Sequence, residues 1–155
     1  MAPLVSELPN LSGTVEVCFG DETLSKTSGI LTMKVKGLEK SVTGGVHIHS
    51  GTSCESQEGH YFKNYPSPTT FDPWLKPPQP ATKIAPETTA YLTTSQGESY
   101  TTFFFDQGIG YEGTAGCDPK ASADECNGKV IVIHAGVGTD LNYGRIACGK
   151  LMPVD

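Results

Sequence analysis

The chain is predicted to be an all-β domain, a sandwich or barrel with long loops. Three observations carry this. Short runs that alternate or are rich in β-branched residues recur between turn signals. Eighteen glycines and eleven prolines punctuate 155 residues, too densely for long helices. No stretch of ten or more residues holds an apolar 3.6-residue period with caps at both ends, so helix is limited to a turn or two.

Taken in order, strands are expected at 13–19, 29–35, 45–49, 88–94, 98–105 and 129–134. Phe19-Gly20-Asp21, Thr94-Ser-Gln-Gly97 and Asp106-Gln-Gly108 break the pattern, and such breaks suit hairpins or short loops in an antiparallel arrangement. Residues 63–86 interrupt this rhythm with seven of the eleven prolines. Proline lacks the amide donor and fixes φ, so a core strand is excluded there and a long ordered loop is expected, pinned by Trp74, the single tryptophan. Such a loop covers or shapes a site; the alternative is a proline-rich ligand for a partner domain. Cys117 and Cys126 flank a second insertion that reads as a disulfide-closed loop. The length fits one domain, 1–155, with 1–12 as an N-terminal extension and 63–86 as the proline-rich loop.

Charge narrows the function. Eleven Lys+Arg against seventeen Asp+Glu leave a net charge of −6, which argues against nucleic acid and anionic membranes as partners. The longest apolar run, 130–133, is four residues, far short of the ~20 that span a bilayer as a helix. Residues 1–9 have neither the basic nor the apolar stretch of a signal peptide. Five cysteines without CxxC spacing and the sequon Asn10-Leu11-Ser12 point to an oxidising, extracellular or cell-surface location.

The chemistry lies in four histidines. In Val46-His47-Ile48-His49 the two imidazoles are two residues apart, so in a strand they share one face. His60 follows a Gly/Ser/Cys-rich loop, and His134 ends the strand at 129–134. Four neutral imidazoles suit a tetragonal Cu(II) centre, and zinc is also compatible, although structural zinc sites more often use thiolates. The bland alternative is an exposed pair and two structural histidines. Arg145 is the single arginine; its planar fork of donors would bind a small anion beside a metal, or it is a surface arginine.

Gly44-Gly-Val-His47-Ile-His49, Cys54 six residues before His60, Val132-Ile-His134, and Gly144-Arg145-Ile-Ala-Cys148-Gly149 together resemble the copper-zinc superoxide dismutase pattern in order and key spacings. Lys36-Gly37-Leu38 is similar to that family's barrel-plug segment. The resemblance covers roughly 29–151. It implies an eight-stranded, immunoglobulin-like Greek-key β-barrel or sandwich with His47, His49, His60 and His134 as copper ligands. It further implies Arg145 as the anion guide, His60 as a proton carrier in catalysis, and a Cys54–Cys148 disulfide. Cys117 would then pair with Cys126, leaving Cys18 free as a buried strand thiol.

Two departures matter. The family's zinc site needs two more histidines after the one that bridges copper to zinc, whose place the resemblance gives to His60, and no histidine lies between His60 and His134. The loop from His134 to Arg145 is also much shorter than the family's electrostatic loop. Both resemble the copper-only superoxide dismutases, which implies one copper per domain, no zinc, superoxide as substrate, a monomer, and neighbouring repeats as the partners to expect in a longer protein. Without zinc a carboxylate would orient His60: Glu87, ahead of the strand at 88–94, with Asp72 and Asp106 as alternatives and a merely solvated Glu87 as the plain reading. A non-catalytic copper-binding or structural module is the rival function. A copper-chaperone domain is disfavoured, since no separate metal-transfer domain accompanies it.

Overall fold

The computed structural model describes residues 5–6, 8–19, 29–61, 71–72, 74, 79–80, 89–105, 128–136 and 143–152. Among them there is no helix, and every strand pairing is antiparallel. The strands are β1 (Val5–Ser6), β2 (Ser12–Phe19), β3 (Gly29–Lys36), β4 (Thr43–His49), β5 (Phe71–Asp72), β6 (Gln79–Pro80), β7 (Ala90–Leu92), β8 (Ser99–Phe105), β9 (Val130–His134) and β10 (Arg145–Lys150). A five-stranded sheet runs β1-β10-β9-β4-β7, a three-stranded sheet runs β2-β3-β8, and β5 and β6 form a small ribbon. The all-β antiparallel expectation is therefore met.

The three-stranded sheet alternates as a half-buried sheet should. Val15, Leu31, Met33, Val35 and Phe103 point into one core, while Glu16, Lys34, Lys36, Tyr100 and Phe104 face outward. Cys18 falls on the outward parity of β2 and is free and exposed, which corrects the expectation of a buried thiol: Val15 and Val17 take the inward positions of the strand.

The five-stranded sheet behaves differently, because its central strands are buried on both faces. Val46, Ile48, Ile131 and Ile133 meet the other sheet in the main core, with Leu38 packed among them. His47, His49, Val130, Val132, His134 and Cys148 are buried as well, on the opposite face under the chain that follows β4. That chain folds back on the strand, with Ser50 N–H to Gly59 O at 2.9 Å and Tyr61 N–H to Ile48 O at 2.8 Å. A Cys54–Cys148 disulfide staples it to β10. Val130, Val132, Cys148 and Cys54 form a small second cluster beneath the staple. The second pair expected, Cys117 with Cys126, lies outside the described residues.

Three further differences from the expected elements have physical reasons. β10 is not among the runs expected as strands, since Ala147, Gly149 and the flanking Gly144 dilute the alternation. β1 places Val5 and Ser6, within the segment expected as an extension, against Cys148 and Ala147. The proline-rich stretch contributes the short ribbon Phe71↔Pro80, Asp72↔Gln79, and Trp74 between its strands is fully buried, its indole N–H donating to Tyr61 O at 2.8 Å.

Candidate metal centre

Each histidine reaches the same point by a separate backbone device. His47 and His49 share the outer face of β4 because a strand's side chains alternate. β9 pairs with β4 in the register His47↔Val132 and His49↔Val130, so His134, two residues past Val132, is the next outer-face residue, diagonal to His47. His60 arrives by the fold-back of the loop and forms an isolated antiparallel bridge with His49. The four candidate ligand atoms all lie within 4.8 Å of one another, within about 1 Å of the span of two ligands on opposite sides of a metal bonded at ~2.0 Å. The ring centroids of His47 lie 4.2 Å from those of His60 and 4.9 Å from those of His134.

The protonation pattern prepares these rings for a cation. His49 Nδ1 lies 2.9 Å from Glu58 O, and His134 Nδ1 lies 3.2 Å from Tyr143 O. A carbonyl only accepts, so in both rings Nδ1 carries the proton and Nε2 a bare lone pair. The two Nε2 atoms face each other at 3.4 Å. With no proton between them the contact is repulsive, and a cation held between them would relieve it. Burial, reinforced by His60, pushes His49 down to about 2 despite the opposing carbonyl of Glu58. His134 falls to about 3 through burial, His60 and Arg145. His47 is also held well below its ordinary value, by burial first and then by its histidine neighbours. Neutral imidazole is the state in which histidine binds a metal.

The histidines are anchored from behind. Thr89 hydroxyl donates to Val46 O and Val46 N–H to Thr89 O, fixing β4 one residue before His47. Tyr91 hydroxyl donates to His134 O at 2.6 Å and crosses directly over Gly44, where a Cβ would collide with it. Trp74 meets His47 edge-on, ring centroids 5.7 Å apart. Lys129 ties Ser50 O to the rest at 2.7 Å and lies over the Tyr61 ring.

Arg145 owes its place to a bulge. β10 pairs Ala147 with Ile133 but Arg145 with His134, so Ile146 is the extra residue. Ile146 and Ala147 both enter the main core, and Arg145 emerges on the outer face beside His134. A regular register would have turned it inward, because a one-residue slip exchanges the faces of a strand. Arg145 is exposed and donates through Nη2 to Glu58 O at 2.5 Å, the carbonyl that also holds His49.

The structure thus gathers His47, His49, His60, His134, Arg145 and the Cys54–Cys148 pair into one region. Glu87 and Asp106 lie outside the described residues, and of Asp72 only the backbone is described. Sequence reasoning missed Glu58, Tyr91 and Tyr143. The first and third act partly through backbone carbonyls, which leave no residue-type signal. Neither a protein-family model nor a curated protein matches this chain.

Proposed function

We propose that this protein is a copper-only superoxide dismutase, converting two superoxide ions and two protons into dioxygen and hydrogen peroxide. The observation that carries the reading is the four-imidazole cluster with an exposed arginine fixed at its edge. The donor set is all nitrogen, with neither thiolate nor carboxylate among the clustered atoms, which suits copper. All four histidines of the chain are used in it, so no further histidine is left for a zinc site. The finer architecture we propose is the eight-stranded Greek-key barrel of that family, and the location extracellular, in keeping with the Cys54–Cys148 disulfide. No helix among the described residues is long and apolar enough to cross a membrane.

When bound, copper supplies one-electron oxidation and reduction by alternating between two valences. The residues do the rest. Arg145 keeps one guanidinium nitrogen on Glu58 O, leaving other N–H groups to receive a small anion. Its local charge offsets a net charge of −6 that repels superoxide at long range. His60, less buried than the other three, carries a proton between solvent and the product. His47, His49 and His134, buried and neutral, hold the site's shape throughout.

The test has two parts. Trp74 is the single tryptophan and its ring lies 5.7 Å from His47, so Cu(II) should quench its fluorescence to an endpoint at one equivalent while Zn(II) does not. Superoxide decay followed by pulse radiolysis should then approach ~10⁸–10⁹ M⁻¹s⁻¹ with copper alone. Stoichiometric copper without catalysis would move the protein to the rival class, a copper-binding module. Failure to bind copper would reject both.

A further inference from the structure

We infer that the ring of Tyr143 is a positioning element of the site, holding the plane of His134 so that its bare Nε2 stays aimed at the other imidazoles. The inference rests on reading His134 as a metal ligand. The rings of Tyr143 and His134 are stacked, with centroids 4.7 Å apart and planes 18° from parallel. The Tyr143 carbonyl accepts the Nδ1 proton of the same histidine. One residue thus grips His134 twice, at its edge by a hydrogen bond and across its face by a ring.

The backbone conformation is unusual for a tyrosine. Tyr143 has φ of +60°, a left-handed conformation that costs a bulky side chain energy and that glycine adopts freely. Strained non-glycine residues cluster at functional sites. Glycine would keep the carbonyl in place and release the strain; what tyrosine adds beyond glycine is the flat ring against His134. The position is firmly set: Tyr143 N–H donates to Gly136 O at 3.1 Å and Ala135 N–H to Gly144 O at 2.8 Å. His49 is held by the same kind of carbonyl contact without a tyrosine ring, its ring neighbours being the other imidazoles. Its acceptor, Glu58, also has positive φ, +60°, but His49 lies under the folded-back loop and is almost fully buried. His134 stands at the end of β9 beside exposed Arg145 and is slightly less buried, 6% exposed against 1% for His49.

The decisive measurement uses the metal-free protein. The ¹⁵N shifts of His134 report how completely the ring is held with Nδ1 protonated. Tyr143→Phe, which keeps the ring, should match the parent. Tyr143→Gly, which keeps the carbonyl alone, should move both nitrogens toward averaged values as the imidazole turns, and should weaken copper binding by roughly 10–100-fold, the usual loss when a residue orienting a ligand is removed. Tyr143→Asn serves as a second variant, since asparagine tolerates positive φ and has no flat ring. Unchanged His134 shifts in Gly or Asn variants that fold would overturn the inference, as would a Phe variant that behaves like Gly. Absence of copper binding in the parent would count against the proposed function alone, because the shifts are read without metal.

Discussion

At the scale of single residues, the site is a set of bases kept neutral by burial. The sign of the pH dependence follows. His49 and His134 are depressed in the folded state to about 2 and about 3, while in the unfolded chain they titrate near the ordinary ~6.5. Below that value the unfolded state binds protons that the native state refuses, so stability present above pH ~6.5 is lost progressively down to pH ~3. Urea midpoints of the metal-free protein should therefore fall steadily from pH 7 to pH 4; a flat profile would contradict the burial of these rings. Arg145→Ala should leave copper stoichiometry intact, lower the rate of superoxide decay by about tenfold and flatten its salt dependence. Arg145→Lys should recover only part of the rate, because a lysine keeps the charge without the fork. Stopped-flow or pulse-radiolysis rates at several ionic strengths check both.

At the scale of elements, what makes the site is the covering of a sheet face that would otherwise meet water. The staple between Cys54 and Cys148 spans 94 residues of chain, and closing so long a loop is worth roughly 3–5 kcal/mol in the chain-entropy account. Replacing both cysteines by serine should lower the unfolding free energy by about that much and weaken copper binding as well, since residues 50–61 carry His60 and the carbonyl of Glu58. Denaturant unfolding and a copper competition assay would separate the two effects. Trp74→Ala should cost about 3–5 kcal/mol, the range for deleting a fully buried large aromatic, as expected if it pins the proline-rich stretch. A loss within the range of surface substitutions, ~0.5 kcal/mol, would show that Trp74 does not pin this segment. The bulge at Ile146 is the third element-scale device, since it alone turns Arg145 to the face that carries the histidines.

At the scale of the whole molecule, the proposed metal site would couple binding to the fold. A ligand that binds only the native state raises stability by RT ln(1 + [L]/Kd), so one equivalent of copper should raise Tm and a chelator should return it to the metal-free value. The strand alternation that buries the main core was legible in β2, β3 and β8, where inward and outward residues differ in type. It was less legible in β4 and β9, which are buried on both faces and read as continuous apolar or histidine-bearing runs. Cys18 shows the cost of ignoring register: its parity in β2, opposite to Val15 and Val17, places it on the exposed face. Alkylation of the native protein should accordingly label Cys18 without denaturant, and intact-mass analysis would count the thiols modified.

The sequence alone determined the all-β class and singled out the four imidazoles as candidate donors, because periodicity and residue type are local properties; Arg145 entered as their cationic partner only through the family resemblance. Tertiary structure decided what depends on register and on the backbone. It turned Arg145 outward through one extra residue in β10, brought His60 back against His49, and supplied two carbonyls, from Glu58 and Tyr143, that set which nitrogen of each ring faces the site. Carbonyls are common to every residue, so nothing in a sequence marks which of them will point at a histidine; only the path of the chain does.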